Sequence, residues 1–299
     1  MDTLSWRGVF PALTTKFTPA DALDFDAMAA HLEFQLDAGV HGVIIMGSLG
    51  ENATLDADEK RAMVDFFADA IDGRVPLVVT IAEAGTREAC RLAEDAAERG
   101  ADGFMLLPPM RYASSRRETL AWFRAVGAAC QRPVMLYNNP VAYGTDVRPE
   151  DFEALADVPV FQAIKESSMD TRRIADIRRR CGERYALFCG VDDLAFECFA
   201  LGAVGWVAGL VVALPREVMR LHDLMRAGHW AEARALYDWF LPLLHLDVGD
   251  QFVQQIKLVE ELAGVGSARV RAPRLELDAP AAERVRRVFQ AAMDSHPGL

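Results

Sequence analysis

The sequence predicts an α/β fold, a (β/α)8 barrel followed by a helical appendage. Short apolar runs alternate with amphipathic stretches from the N-terminus to about residue 208, which is typical of repeated βα units. Glycine also recurs between a helical pattern and the next apolar run, within 38–42, 99–103 and 201–205, where helices often end with positive φ. An open doubly wound sheet is the alternative. No Gly-x-Gly-x-x-Gly follows the first apolar run, which weakens its dinucleotide-binding form.

The predicted strands are short apolar runs, each bounded by turn residues or by the end of a helical pattern. Eight runs meet this description, at 8–13, 42–46, 76–81, 103–106, 133–137, 160–164, 185–189 and 204–207. Between them, apolar residues recur with helical spacing over 26–38, 57–72, 86–99, 116–130, 149–155, 169–181 and 192–201. Eight parallel strands separated by helices are what a closed barrel requires.

Beyond residue 214 the strand pattern largely stops, and helical patterns continue over 215–227, 229–244, 249–263 and 280–294. We therefore expect a barrel domain over 1–214 that carries the active site, and a C-terminal helical domain over 215–299. No low-complexity linker separates the two, so the helices are expected to pack directly on the barrel.

Composition limits the classes of function. Hydrophobic residues make up 52% of the chain, enough for a core without disulfides. The formal net charge of −12 is spread along the chain and repels phosphate backbones, so nucleic acid is not an expected partner. The five cysteines lack the spacing of a disulfide framework or a zinc site. With no signal pattern and no apolar run of membrane length, a cytoplasmic protein is expected.

Lys165 is the most informative residue of the sequence. The 32 basic residues include only four lysines, and Lys165 alone ends an apolar strand-like run, 160–164. Burial favours the neutral amine, and a neutral amine at the end of a barrel strand can attack a carbonyl carbon and form a Schiff base. The alternative is a lysine whose flexible stem reaches solvent, where it pairs with Glu166.

The other predicted strand ends carry polar residues whose types suit chemistry at a carbonyl group. Catalytic groups of a barrel collect where strands end and loops begin. Besides Lys165, these positions hold Thr14 and Thr15, the turn 47–51, and the segments 137–140, 166–168 and 190–193. Together they supply a phenol, several hydroxyls and a turn rich in backbone N–H groups. They do not supply a metal site, and we expect neither a metal nor a cofactor.

Four of these segments carry a resemblance to a known family. GSLGEN at 47–52, YNNP at 137–140, IKESS at 164–168 and GVDD at 190–193 are similar, in order and spacing, to segments of the dihydrodipicolinate synthase and N-acetylneuraminate lyase superfamily of class I aldolases. The resemblance spans nearly the whole chain. It implies a Schiff base between the lysine at 165 and the C2 carbonyl of a small 2-oxo acid. It also implies a homotetramer.

The resemblance implies roles for the other site residues. Tyr137 moves protons, and Ser48 stands where the family has a hydroxyl that supports the tyrosine oxygen, so both are expected to be catalytic together with Lys165. The residues expected to bind substrate are Gly47, Leu49, Gly50, Asn139 and Val207. The backbone N–H groups of Ser48 and Leu49 are expected to hold the substrate carboxylate as a small anion nest.

Three departures from the family pattern argue against lysine biosynthesis. Leu49 replaces a second hydroxyl of the turn, which removes one hydrogen bond to a polar substrate. Ala142 replaces the arginine that holds the carboxylate of aspartate semialdehyde in true dihydrodipicolinate synthases. Met110 aligns with the tyrosine that a neighbouring subunit contributes, although Tyr112 lies close by.

The stretches 137–147 and 243–249 look most like those of 1-pyrroline-4-hydroxy-2-carboxylate deaminases of bacterial hydroxyproline breakdown. The implied reaction releases 2,5-dioxopentanoate and ammonia. A dehydratase or aldolase of 2-keto-3-deoxy sugar acids is an alternative that needs the same lysine and tyrosine. A binding or regulatory protein is a second alternative, and the intact Lys165, Tyr137 and Ser48 argue against it because a sensor needs no nucleophile.

Two further groups of acidic and histidine residues are better explained by structural roles than by catalysis or metal binding. Asp192 and Asp193 could be metal ligands, but an Asp pair at this position more simply caps the helix that begins near residue 193. His245 and Asp247 have the composition of a catalytic pair, yet they fall in the appendage, far along the chain from the strand ends. We expect structural roles for all four.

Overall fold

The structure is a computed structural model that describes residues 5–109 and 112–298. Its strands are β1 (Gly8–Pro11), β2 (Val43–Ile45), β3 (Leu77–Ile81), β4 (Gly103–Leu106), β5 (Val134–Asn138), β6 (Phe161–Glu166), β7 (Ala186–Cys189) and β8 (Gly205–Ala208). All pair in parallel in the order β1-β8-β7-β6-β5-β4-β3-β2, and a parallel bridge between Ala12 and Ile44 brings β1 beside β2. The sheet therefore closes into a (β/α)8 barrel, which confirms the predicted fold class.

The helices alternate with these strands and continue beyond them. They are α1 (Phe25–Asp37), α2 (Ala57–Ile71), α3 (Thr86–Glu98), α4 (Arg116–Ala129), α5 (Pro140–Tyr143), α6 (Pro149–Ala154), α7 (Arg172–Cys181), α8 (Ala195–Ala200), α9 (Pro215–Arg226), α10 (Trp230–Leu244), α11 (Phe252–Leu262) and α12 (Ala279–Asp294). Among the described residues, no helix has both the length and the apolar character that a bilayer crossing requires.

Local sequence explains most of these elements. The strands are almost entirely buried, as expected for a parallel sheet covered by helices on its outer face. Capping boxes begin two of the helices: Asp56 with Glu59 at α2, and Ser115 with Glu118 at α4. In each box the two side chains accept hydrogen bonds from N–H groups that the first turn would otherwise leave unpaired.

Several element ends near the barrel mouth differ from the prediction, and three of these differences bear on the site. Strand β6 continues two residues past the predicted end at 164, because Lys165 pairs with Tyr137 on one side and Phe188 on the other. The predicted helix 192–201 is a 3-10 turn followed by α8. The short helix α5 was not predicted, and it returns the chain toward the barrel directly after β5.

The C-terminal helices pack directly on the barrel, as expected. Helix α9 contacts β1, while α10 and α11 contact the barrel through the loops that follow β7 and β8. The division into domains at residue 214 stays a prediction.

Buried ion pairs fasten α11 to the loops after β1 and β2. Lys16 Nζ lies 2.5 Å from Glu260 Oε1, and Thr14 Oγ1 donates to the same carboxylate at 2.8 Å. Lys257 donates to Glu51, whose other carboxylate oxygen accepts from the backbone N–H of Arg271 at 3.0 Å. Glu51 ends the turn 47–51 in the left-handed backbone region, with φ of 56°. The appendage therefore holds the turn that is expected to bind the substrate carboxylate.

Replacing Lys257 by methionine is expected to lower the free energy of unfolding by about 3–5 kcal/mol, because the Glu51 carboxylate would stay buried without its charged partner. Thermal unfolding should show a Tm lower by at least about 5 °C. Arg234→Met is the matched control, since the Arg234–Asp238 pair is exposed and such pairs contribute at most about 1 kcal/mol. Equal Tm values for the two variants would contradict a stabilising role for the buried pair.

Candidate active site

A cavity of about 240 Å³ opens at the carboxyl ends of the strands. The predicted site residues in its wall are Gly47, Ser48, Leu49, Tyr137, Asn139, Lys165 and Val207. Gly50 is not among the lining residues. A Cβ at position 50 would lie 2.8 Å from the carbonyl oxygen of Leu13, and the Gly50 carbonyl accepts from Thr15 Oγ1 at 2.6 Å. Gly50 therefore lets the turn pack closely against the loop after β1 and is not placed to contact substrate.

Lys165 reaches the cavity from β6 with a side chain that is almost fully buried. Its Nζ lies 4.2 Å from the centre of the Tyr137 ring. Position 190 must be glycine here, since a Cβ would lie 2.6 Å from Lys165 Cε. Burial lowers the pKa of the Lys165 amine, while the nearby Tyr143, Asp247 and Asp192 oppose that shift. The environment thus favours the neutral, nucleophilic form of the amine.

Two tyrosines face each other beside Lys165. The rings of Tyr137 and Tyr143 pack edge to face, with centroids 5.8 Å apart. Asn139 Nδ2 donates to the Tyr137 hydroxyl at 3.1 Å. Burial raises the pKa of both phenols, and hydrogen bonds to Asn139, Ser167 and Tyr143 partly offset that shift at Tyr137. Both rings therefore hold their protons at neutral pH and can pass them on.

Ser48 hydrogen-bonds the hydroxyl of Tyr143 and not that of Tyr137, so the expected direct support of Tyr137 by Ser48 is wrong. Ser48 therefore approaches Tyr137 only by way of Tyr143, whose ring packs against that of Tyr137. Sequence reasoning missed Tyr143, and the signal that could have found it is local. Asn139 caps α5 by accepting from the backbone N–H of Ala142, and Pro140 occupies the first turn, so the chain turns back after β5.

The glycine-rich turn presents backbone donors to the cavity. Met46 and Glu51, at its two ends, both have positive φ. The carbonyl oxygens of Gly47 and Ser48 accept from Asn52 and Glu51, which closes the turn. The N–H groups of Ser48 and Leu49 have no hydrogen-bond acceptor within residues 5–109 and 112–298. They are therefore available for a small anion, as a nest requires.

His245 and Asp247, for which structural roles were expected, lie in different surroundings. His245 Nδ1 lies 2.8 Å from Asp193 Oδ2, and neither residue lines the cavity. Asp247 lines the cavity itself, because the 3-10 turn after α10 lies over the end of β8. Distance along the chain misled the prediction, since packing of the appendage brings this carboxyl group to the strand ends.

Asp192 is structural, but it is not a helix cap. Its carboxylate accepts from Trp206 Nε1 at 2.9 Å and from the backbone N–H groups of Gly209 and Leu210. These bonds tie the loop after β7 to the end of β8. Within the described part of the chain, no three His, Cys, Asp or Glu side chains are grouped as metal ligands would be.

The cavity wall contains an arginine, although Ala142 stands where the family pattern has one. Arg274 lines the cavity and lies 3.8 Å from Glu51 Oε2. Tyr112 does not line it, since its side chain is 57% exposed and its hydroxyl donates to Glu118. Met110 lies outside the described residues. A role for Tyr112 in the site of a neighbouring subunit stays a prediction.

Comparisons with known proteins agree with this arrangement at the level of the family. The model of the dihydrodipicolinate synthetase family matches residues 5–292. A 4-hydroxy-tetrahydrodipicolinate synthase of Salinibacter ruber is 31% identical over 292 residues, which cover 97% of each chain. The enzyme of the same name from Rhizobium meliloti is 30% identical over 92% of this chain and 94% of its own.

Solved structures give the same result. YagE, a prophage protein of the dihydrodipicolinic acid synthase family from E. coli K12 solved in complex with pyruvate, superposes with a TM-score of 0.91 at 28% identity. The match covers 97% of this chain and 99% of that one. Dihydrodipicolinate synthase from Aquifex aeolicus matches with a TM-score of 0.91 at 26% identity, over 95% and 97% of the two chains.

Proposed function

We propose that this chain, which belongs to the dihydrodipicolinate synthetase family, is a Schiff-base lyase that deaminates a hydroxylated cyclic imine of a 2-oxo acid. The observation that carries the proposal is the buried Lys165 amine, which lines the cavity beside two protonated phenols. A neutral amine in this setting can attack C2 of a carbonyl or imine and form a covalent adduct. No nucleic acid, membrane or cofactor has a part in this proposal, and the homotetramer implied by resemblance stays a prediction.

The substrate we propose is 1-pyrroline-4-hydroxy-2-carboxylate. Lys165 adds to C2, the bond from C2 to the ring nitrogen breaks, and the nitrogen stays attached at C5 as an amine. Tyr137 gives its proton to the ring nitrogen as that bond breaks, and the resulting phenolate removes a proton from C3. The hydroxyl on C4 then leaves as water. Migration of the double bond toward C5 gives a second imine. Hydrolysis of both imines consumes two waters and releases 2,5-dioxopentanoate, ammonia and free Lys165, so one water is consumed overall.

The cavity wall supports this substrate. The backbone N–H groups of Ser48 and Leu49 suit its single carboxylate. Leu49, Val141 and Ala142 give the wall an apolar part that matches a five-membered ring better than a second charged group. The reaction also needs no aldehyde partner, which is consistent with alanine at 142.

Condensation of pyruvate with aspartate semialdehyde is a second candidate. Arg274 brings to the cavity a cation that could hold a second carboxylate, and relatives carry the name 4-hydroxy-tetrahydrodipicolinate synthase. We favour deamination because Arg274 lies beside the buried carboxylate of Glu51, which already neutralises part of its charge.

Purified protein is expected to release ammonia from 1-pyrroline-4-hydroxy-2-carboxylate and to form no dihydrodipicolinate precursor from pyruvate and aspartate semialdehyde. The first reaction is followed as NADH formed by an added semialdehyde dehydrogenase. The second is followed as NADPH consumed by an added reductase. The Lys165→Ala variant is the matched control in both assays.

Efficient condensation would contradict the proposed substrate, and so would inactivity with the pyrroline beside rapid turnover of a 2-keto-3-deoxy sugar acid. A protein that only binds its ligand is tested separately with pyruvate and borohydride. Reduction of a Schiff base leaves a covalent adduct on Lys165 that mass spectrometry detects, whereas a pure binding protein gives none.

A further inference from the structure

The carboxyl group of Asp247 enters the cavity from the appendage and packs against the end of β8. A Cβ at Gly209 would lie 2.2 Å from Asp247 Oδ1 and 2.6 Å from its Cγ, so glycine at 209 is what makes room for the carboxyl group. Asp247 and Lys165 line the same cavity, one from each part of the chain. The carboxyl group is therefore placed where a substrate attached to Lys165 extends.

Asp247 differs from the fully buried acidic groups beneath the barrel mouth, because no hydrogen bond to its carboxyl group is formed within the described residues. The carboxylates of Glu51, Glu166, Asp192 and Glu260 each accept from several donors. Within residues 5–109 and 112–298, no donor reaches the Asp247 carboxyl group. The Asp247 side chain is half-buried and lines the cavity, so its carboxyl group is available to form a hydrogen bond with a substrate there.

The charges around Asp247 favour its protonated form. Burial raises the pKa of this carboxyl group well above its ordinary value, the neighbouring Asp192 and Asp193 raise it further, and Lys165 acts in the opposite direction. Asp192 is fixed in place by its bonds to Trp206 and the β8 end, so its effect on Asp247 is a stable feature of the site. A protonated carboxyl group can donate a hydrogen bond and then a proton.

We propose that Asp247 is the catalytic acid that protonates the C4 hydroxyl of the substrate as this group leaves. The inference rests on the proposed function, because it needs a substrate that Lys165 holds at C2 and that carries a hydroxyl on C4. After a proton has left C3, the enamine electron pair forms the bond between C3 and C4. The bond from C4 to oxygen breaks, the oxygen takes the Asp247 proton, and water leaves. The Asp247 carboxylate then accepts a proton from C5.

This assignment also defines the class of reaction. Cleavage of the bond between C3 and C4, as in a retro-aldol reaction, needs a base that removes the proton of the C4 hydroxyl. A carboxyl group that already holds its proton cannot do this, but it lowers the barrier to loss of hydroxide. The site is therefore specialised for eliminating water from 4-hydroxy-2-oxo acids or their cyclic imines, and against releasing an aldehyde.

The test compares wild type, Asp247→Asn and the matched control Asp238→Asn, which removes an exposed carboxylate from α10. Three measurements separate the steps: borohydride trapping of pyruvate, deuterium exchange at C3 of pyruvate by NMR, and turnover of 1-pyrroline-4-hydroxy-2-carboxylate. Asp247→Asn should keep trapping and exchange within about threefold of wild type, because neither step has a leaving group. Turnover should fall on the order of a hundredfold or more, as for a lost general acid. Asp238→Asn should match wild type throughout.

A 4-fluoro analogue of the pyrroline provides a rescue, since fluoride leaves without taking a full proton. The rate of Asp247→Asn with this analogue should be within about tenfold of the wild-type rate, in line with the size of the general-acid effect.

The pH profile gives a further readout. The activity of wild type should fall as pH rises through the pKa of Asp247, and this fall should be absent in Asp247→Asn. Equal loss of trapping, exchange and turnover would indicate a structural role and overturn the assignment. Unchanged turnover would overturn it as well.

The proposed function and the inference fail in distinguishable ways. Wild type that is inactive with the pyrroline but eliminates water from a 2-keto-3-deoxy sugar acid contradicts the substrate alone, and Asp247→Asn is then measured with that acid. Wild type that exchanges the C3 protons of pyruvate but eliminates water from neither compound overturns the role of Asp247 and leaves the Schiff base standing.

Discussion

Lys165→Ala is expected to abolish turnover and to leave the fold intact. The substitution removes the nucleophile from the end of β6, where the side chain points into a cavity and makes no ion pair within the described residues. We expect kcat/KM below about a thousandth of the wild-type value, the scale of loss seen when a covalent nucleophile is removed. Circular dichroism and Tm should stay close to those of wild type.

Lys165→Arg is expected to fail almost as completely, because a guanidinium stays protonated at any working pH. The three remaining lysines provide a control within each variant. Lys16, Lys60 and Lys257 each pair with a glutamate and do not line the cavity. Borohydride and pyruvate should therefore label wild type once and neither variant. A labelled Lys165→Ala chain, or activity above a thousandth of wild type, would contradict the Schiff base at this position.

The pH dependence of wild type offers an independent check on Lys165. The reactive form is the neutral amine, so kcat/KM should rise with pH until the free enzyme's lysine is deprotonated. Burial lowers that pKa, so the rise should be complete below the 10.5 of an ordinary lysine. A rate that continues to rise through pH 10.5 would contradict a lysine whose pKa is lowered by its surroundings.

The fold, and the position of Lys165 at the end of a barrel strand, could be predicted from the sequence because both follow from local pattern. The alternation of apolar and amphipathic runs, together with the glycine positions, predicted the eight strands. Lys165 was singled out because it alone among the lysines follows an apolar run. The turn 47–51 was predicted for the same reason, since two glycines in a short segment indicate a tight turn. These features depend on residues close together in the chain, which is what single-sequence reasoning resolves best.

The rest of the site depends on long-range packing that no local pattern encodes. Asp247 and Arg274 are far along the chain from the strand ends, and the packing of the appendage on the barrel brings them to the cavity. Asp192 was expected to be a cap because acidic residues often begin helices. In the folded chain its carboxylate instead accepts hydrogen bonds from the backbone N–H groups of Gly209 and Leu210, which follow β8.

Family membership does not determine which substrate the protein uses. The family model and relatives about 30% identical over nearly the whole chain establish that the chain belongs to the dihydrodipicolinate synthetase family. Substrate choice depends on a few wall positions, among them Leu49, Ala142, Asp247 and Arg274, and their effects partly oppose one another. Leu49 and Ala142 remove polar partners, whereas Arg274 adds one, so the two assays of the proposed function address these positions directly.

The second large effect is expected from Tyr137→Phe, which keeps the ring packed against Tyr143 and removes the proton carrier. We expect kcat to fall on the order of a hundredfold or more, with a smaller change in KM, because general acid–base catalysis is lost while binding groups remain. Tyr185→Phe is the matched control. It also removes a buried phenol hydroxyl, one that donates to the Phe152 carbonyl outside the cavity, and it should leave kcat unchanged.

Tyr143→Phe and Ser48→Ala extend this prediction to the proton relay. Because Tyr143 stands between Ser48 and Tyr137, its loss should slow deuterium exchange at C3 of pyruvate without preventing borohydride trapping at Lys165. The effects of substitutions within one relay are not additive, so the double variant Tyr137→Phe/Tyr143→Phe should be about as slow as Tyr137→Phe alone. If the two reductions in rate instead multiplied, the tyrosines would act on different steps. If KM rose sharply while kcat held, Tyr137 would be a binding residue, and the C3 proton would have to leave through Ser48 and Tyr143 or through water.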